Sequence, residues 1–216
     1  MTALGWPATL RERSVVLRPI RRRDARALAA LREANSAWLG PWEATYPEGS
    51  GYSGWGGFSQ DGVAVTRDDA VARFRQFARD LLRAARAGES FPWLVEHEGE
   101  LVGQMTVSVI GRGPMCAGAA GYWIDQGHAG RGITPLALAM AFDHVVNDGG
   151  LHRVEAAIRP ENAASLRVVA KLGFRDEGMR PGYIHVGGHW ADHRIFALNA
   201  EEVPGGLVAR LRRAPS

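Results

Sequence analysis

Residues 14–20 alternate enough apolar positions to read as a strand, and residues 24–35 then place Ala27, Leu28, Leu31 and Ala34 at helical spacing. The chain therefore opens β then α. Helical spacing returns over residues 68–87 through Val71, Phe74, Phe77, Ala78, Leu81 and Leu82. Acidic residues open that stretch, where the positive end of a helix dipole favours them, and Gly88 ends it. Between the two helices, residues 38–61 are rich in Gly, Pro, Ser, Trp and Tyr and show no period, which predicts a long loop of the kind that often carries function.

Residues 91–96, 101–110 and 116–125 read as three successive strands, the first two joined by the turn EHEGE, and a meander follows from this. Nearly every position from 133 to 146 is apolar, and residues 151–159 again read as a strand, so a buried helix between strands forms a βαβ crossover. A further helix over 162–172 carries Leu166, Val169 and Ala170 on one stripe and stops at Gly173. Residues 183–186 and 193–198 can close the sheet, leaving a tail after Glu202 that frays or docks. No internal repeat is present.

With 216 residues the chain suits one domain, residues 1–216, and a single site. Hydrophobic residues at 46% and charged residues at 23% fit an ordinary soluble protein, and the longest apolar run, 135–142, is too short to span a bilayer. Residues 1–10 lack a basic region followed by an apolar one, so the cytoplasm is the expected location. Cys116 is the only cysteine, which excludes an internal disulfide and a cysteine-rich metal site; it is expected to be a small buried residue. The net charge of +3 rests on arginines, because Lys171 is the only lysine. That balance suits an anionic ligand. Nucleic acid is a weaker reading, since the arginines are scattered without an aromatic-plus-basic cluster, and those of residues 11–26 read as a solvated edge.

The candidate chemistry concentrates in GYWIDQGHAGRGITPLALAMAF, residues 121–142, which runs from strand to glycine loop to buried helix. Gly127, Gly130 and Gly132 let consecutive backbone N–H groups converge, and the helix beginning near Ile133 adds its unpaired amides and positive dipole end, an arrangement suited to phosphate. A tight βα turn without a ligand is the alternative. Pro135 stands where a dinucleotide fingerprint needs its third glycine, and the lysine of a Walker loop is missing.

A second stretch, RVEAAIRPENAASLRVVAKLGFRDEG, covers residues 153–178. Together the two resemble the GNAT N-acetyltransferases, in particular the RimJ/RimL branch that acetylates ribosomal protein N-termini. The likeness runs from about residue 14 to 198 and is sharpest at GYW, GRGI, RPENAAS, KLGF and HWADH. It implies an α/β fold with a single mixed, mostly antiparallel sheet whose central strands splay apart, flanked by helices. It also implies acetyl-CoA as cosubstrate, wedged between strands around 122–124 and 154–158, with no metal. On this resemblance the pantetheine bonds the strand at Trp123 and Ile124, and the phosphates lie on Ala129, Gly130, Arg131, Gly132, Ile133 and Thr134. Ala129 and Thr134 depart from the family's Gln/Arg-x-x-Gly-x-Gly/Ala, but the binding atoms are mostly backbone amides. Asn162, which also suits a helix N-cap, Ser165 and Lys171 are the remaining expected cofactor contacts; Ser165, which also reads as a plain polar group of the first turn, is the implied proton donor to the leaving thiolate.

Acetyl transfer needs a neutral amine. An α-amino group has a pKa of about 8, so roughly a tenth is neutral at neutral pH, whereas lysine at about 10.4 needs far more help. Glu155 is the leading candidate base, because it shares a strand face with Ala157, where related enzymes carry a glutamate; Glu43 in PWEATYPEG is the second. Each also reads as a plain surface or structural carboxylate. Asp192 reads as fixing a turn, and His185, His189 and His193 have no further ligands to suggest a metal. The expected acceptor is a primary amine, preferably a protein N-terminus, with small amines or antibiotics as alternatives, no membrane and no specific nucleic acid. A non-catalytic acyl-CoA sensor is the rival reading, and a homodimer is left open.

Overall fold

A computed structural model of the chain describes residues 4–48 and 67–213. Eight strands form one sheet: β1 (Leu10–Glu12), β2 (Val15–Pro19), β3 (Phe91–His97), β4 (Glu100–Gly111), β5 (Ala117–Ile124), β6 (Arg153–Ile158), β7 (Arg175–Val186) and β8 (His189–Asn199), in the order β1-β2-β3-β4-β5-β6-β8-β7. Every neighbouring pair is antiparallel except β5 and β6, which α4 (Ile133–Asn147) joins by the expected crossover. The other helices are α1 (Ala25–Ala34), α2 (Ser36–Leu39), α3 (Arg67–Ala87), α5 (Ala163–Leu172) and α6 (Leu207–Arg213).

Two cores follow from the period of two along the strands. Trp93 and Leu94 are adjacent in β3 and fully buried, yet they enter opposite clusters. Trp93 joins Met105, Leu138, Phe142 and Leu172 under α4 and α5, and Leu94 joins Leu28, Phe74 and Ala78 under α1 and α3. Helix α4 is apolar on nearly all sides because it is sandwiched between the sheet, α5 and α6.

The parallel ladder is short. It holds only Ala117↔Arg153, Gly118↔Val154 and Ala119↔Glu155. Beyond it β5 continues with β4 as far as Ile124, and β6 continues with β8 as far as Ile158, so the two central strands part. The wedge expected over 154–158 thus opens later, from Ala156 onward.

Several sequence expectations need correction. Strand β1 is too short to show a period, and the tight reversal at Arg13 (φ 52°) separates it from β2. Strand β7 runs twelve residues where four were expected, because its first nine are exposed and its register shifts around Gly178 and Gly182 erase any periodicity. The tail docks as α6. Asp143 of α4 accepts hydrogen bonds from the amides of Leu207 (2.6 Å) and Val208 (3.0 Å); burial pushes its carboxyl above the ordinary value despite them. Cys116 is only half-buried, with φ 41° at the turn into β5. The start of the expected long loop is ordered as α2 and a 3-10 turn over Gly40–Trp42, while residues 49–61 of it lie outside those described.

Candidate active site

The open end of the wedge is lined by backbone. The amide of Asp125 donates to the Val102 carbonyl at 2.7 Å, so Ile124 and Gly103 form a pair whose own polar groups point away from each other. By alternation the N–H and C=O of Tyr122 and Ile124 face the gap left by β6, whereas those of Trp123 face Gln104 on β4. The Trp38 indole Nε1 donates to the Ile124 carbonyl at 3.2 Å and occupies that acceptor. The backbone contact expected of Trp123 is therefore offered one residue earlier, at Tyr122. Trp123 instead packs its ring toward α1, with the Arg32 guanidinium 5.0 Å from the ring centroid.

The glycine loop follows β5 through a 3-10 turn over Gln126–His128 and enters α4 at Gly132. Gly130 and Gly132 adopt φ of 77° and 78°, the left-handed region where a side chain is strained. A Cβ at either would meet nothing within 4 Å, so the space before the loop is open. The first amide of α4 to bond back is that of Leu136, to the Gly132 carbonyl at 3.2 Å. Ahead of it the amides of Ile133 and Thr134 have no intrahelical acceptor, and Pro135 has no N–H. Arg131 is exposed, while Ala129 and Thr134 are half-buried. An anion with several oxygens, such as a pyrophosphate, fits this set of donors and the helix dipole behind it.

A network that the sequence did not announce holds the loop from behind. Asn35, buried just after α1, donates from Nδ2 to Asp125 Oδ1 at 2.8 Å, and its own oxygen accepts the Gln126 amide at 2.8 Å. His128 Nδ1 lies 2.7 Å from the other Asp125 oxygen. Burial alone would raise the Asp125 pKa, but the hydrogen bonds from His128 and Asn35 outweigh it and hold the carboxyl below its ordinary value. Only the fold could reveal Asn35, since ninety positions separate it from Asp125.

Helix α5 brings its N-terminus to the same region. Asn162 is the N-cap, its Oδ1 accepting the Ser165 amide at 3.0 Å. Tyr122 donates its hydroxyl to the Ser165 carbonyl at 3.5 Å, linking the two sides of the split; burial raises its pKa far above the ordinary value, so the phenol stays protonated. Ser165 is half-buried, and the cap uses its backbone and leaves its hydroxyl available. Lys171 sits exposed on the last turn of α5, roughly 13 Å along the axis from Asn162, and does not join this group.

The two candidate bases are both engaged by arginine. Glu155 lies on the half-exposed face of β6 within the paired stretch, 2.9 Å from Arg153 Nε, so it sits on the closed side of the split. Glu43 bonds Arg32. Its loop is pinned to the β7–β8 hairpin, where the Thr45 amide donates to the His185 carbonyl (2.8 Å) and Thr45 Oγ1 lies 2.7 Å from His185 Nδ1. Trp42 stands under Arg159, 5.8 Å from its guanidinium, at the end of β6. Asp192 fixes the bend at Gly182 as expected, accepting its amide at 2.8 Å. Among the described residues no group of three His, Cys, Asp or Glu side chains is placed to hold a metal, and no helix is long and apolar enough to cross a membrane.

Comparison with known proteins agrees with this geometry. The family described as "Acetyltransferase (GNAT) domain" matches residues 14–175. A probable N-acetyltransferase of Bacillus subtilis, YjcK, is 34% identical over 101 residues, 47% of this chain and 56% of that protein. The [ribosomal protein uS5]-alanine N-acetyltransferase of Escherichia coli is 30% identical over 195 residues, 88% of this chain and 91% of its own. The solved structure of Mycobacterium smegmatis RimJ in complex with CoA-disulfide superposes with a TM-score of 0.84 at 36% identity, covering 98% of this chain and 96% of that one.

Proposed function

The chain belongs to the GNAT acetyltransferase domain family, and from that premise we propose that it moves the acetyl group of acetyl-CoA onto the N-terminal α-amino group of a ribosomal protein in the cytoplasm. One observation carries the reading: the parted strands β5 and β6 open onto the glycine loop, with the N-termini of α4 and α5 at the same opening. The amides of residues 130–134 hold the pyrophosphate, and the Tyr122 backbone with the Ile124 amide pairs with the pantetheine arm. Arg131 adds charge at the loop surface.

The transfer joins the amine nitrogen to the acetyl carbon and breaks the carbon–sulfur bond. The amine loses one proton, and the departing sulfur gains one. Ser165 passes its hydroxyl proton to sulfur and regains one, through water, from the amine nitrogen, so the proton the amine loses is the one the sulfur gains; the protonated Tyr122 hydroxyl holds the first turn of α5 in place through the Ser165 carbonyl. Since an α-amine is already about a tenth neutral near pH 7, water or an arginine-held carboxylate such as Glu43 suffices as base. The acceptor enters past Trp38, Trp42 and Glu43, beside the β7–β8 hairpin to which their loop is pinned. Support for a ribosomal acceptor comes from the Escherichia coli relative's name, which gives an alanine of ribosomal protein uS5.

Incubating the protein and acetyl-CoA with peptides bearing a free α-amine, peptides bearing only lysine amines, and small aminoglycosides, then reading acetylation by mass spectrometry, tests this. Acetylation of α-amines alone is expected. Modification of lysine or aminoglycoside in preference would refute the acceptor assignment.

A further inference from the structure

Arginines that lie scattered in the sequence meet on one surface of the fold. Two shallow troughs, of about 630 and 360 Å³, share Arg22 and Leu82 and so form one depression between the entrance to α1 and the exposed side of α3. Six arginines line it: Arg21, Arg22 and Arg23 before α1, and Arg79, Arg83 and Arg86 on α3. The α3 residues recur at intervals of four and three, which sets them on one helix face. All six are exposed. Asp80 is the one carboxylate in the lining, and it is already engaged by Arg83 and by Gln76 at 3.0 Å. Among the described residues, Arg21, Arg22, Arg23 and Arg86 have no acidic partner.

Six like charges gathered around a single carboxylate repel one another and raise the local positive potential, which an anion relieves. The cofactor's phosphates are not that anion, because the glycine loop leads into α4 on the opposite face of the sheet from α3. We propose that the depression docks the phosphodiester backbone of RNA. Guanidinium forks match phosphate oxygens in pairs, and binding of this kind needs no deep pocket. A protein partner would be expected to find an apolar or aromatic anchor here, yet the large apolar side chains of the lining are Leu82, half-buried, and Ile20, fully buried. A membrane surface would want apolar side chains to insert, and none of the large exposed hydrophobics of the described residues lies in the lining. The choice of RNA over DNA rests on the acceptor reading above, since a ribosomal protein presents its N-terminus among RNA.

Fluorescence anisotropy of a labelled single-stranded RNA over a salt series tests the docking on the full chain. The Arg79→Gln/Arg83→Gln/Arg86→Gln variant is compared with a control that loses equal charge at exposed positions outside the depression, Arg11→Gln/Arg167→Gln/Arg213→Gln. The first variant is expected to bind at least about tenfold more weakly and to lose about 2 from the slope of log K against log salt, while the control stays within about twofold of the parent. Arg22→Gln/Arg86→Gln, which breaks no ion pair among the described residues, is expected to show the same direction if the triple variant folds poorly. Acetylation of a free peptide is expected to be unchanged in all of them, so failure of docking and failure of acetyl transfer are read separately. Equal losses in variant and control, absence of RNA binding, or tighter binding to DNA of the same sequence, polyglutamate or phosphatidylserine vesicles would overturn the proposal.

Discussion

Asn35 donates to Asp125 at 2.8 Å and so ties the end of α1 to the residue that leads β5 into the glycine loop. Helix α1 also carries Arg32, which grips Glu43 and covers the Trp123 ring. One helix therefore braces the cofactor loop and the acceptor loop together.

Asn35→Ala empties a buried site and leaves an oxygen of Asp125 and the amide of Gln126, both partly open to solvent, without their partner. Removing one member of such a group costs about 1–3 kcal/mol. Urea denaturation is expected to show a loss of that size, and the KM for acetyl-CoA is expected to rise more than that for the acceptor peptide. Unchanged stability together with unchanged KM would show that the loop does not depend on this brace.

Ser165→Ala is expected to leave the helix cap intact, because Asn162 receives the backbone amide of Ser165 and not its hydroxyl. Thiolates leave readily even without a proton, with a thiol pKa of about 8.5, so the expected loss in kcat is moderate, roughly ten- to a thousandfold, at nearly constant affinity for acetyl-CoA. Tyr122→Phe is expected to cost less, since its hydroxyl reaches only the Ser165 carbonyl. Steady-state kinetics of both variants decide which hydroxyl serves the sulfur; a larger loss at Tyr122 would reverse the roles.

The pattern of apolar residues made the meander, the crossover helix α4 and the capped helix α5 legible, because each buries a continuous face and pattern reports burial. It was silent on residues 175–182 of β7, which face solvent, and on β1, which is too short to repeat. The glycine loop was legible because left-handed backbone at Gly130 and Gly132 needs glycine. What remained hidden depends on pairings remote in sequence: Asn35 with Asp125, Trp38 with the Ile124 carbonyl, and the strand alternation that turns Tyr122 rather than Trp123 toward the gap. Lys171 matched the family pattern, and it lies on the last turn of α5, away from the helix N-terminus that meets the opening.

Hydrogen bonds from Arg153 and then Arg175 hold the Glu177 carboxyl down at about 2, against an ordinary 4.5. A carboxylate depressed in the folded state adds stability above pH 4.5, and that stability is lost as pH falls from there toward 2. Glu177→Gln is expected to flatten this acid limb. Discounted for solvent screening at a partly exposed site, the effect is on the order of 1 kcal/mol, read as a smaller fall in urea midpoint between pH of about 6 and about 3. An acid limb as steep in the variant as in the parent would assign the sensitivity to other carboxylates.

The central claim is that the opening between β5 and β6 carries acetyl transfer to an α-amine, and release of free thiol from acetyl-CoA measures it most directly. With a peptide that presents an N-terminal alanine, thiol release is expected to rise in proportion to enzyme, to depend on the free α-amine, and to fall at least about tenfold in Gly132→Val, whose side chain strains the left-handed loop while the fold persists. Thiol release that ignores the peptide, or that survives Gly132→Val undiminished, would contradict it.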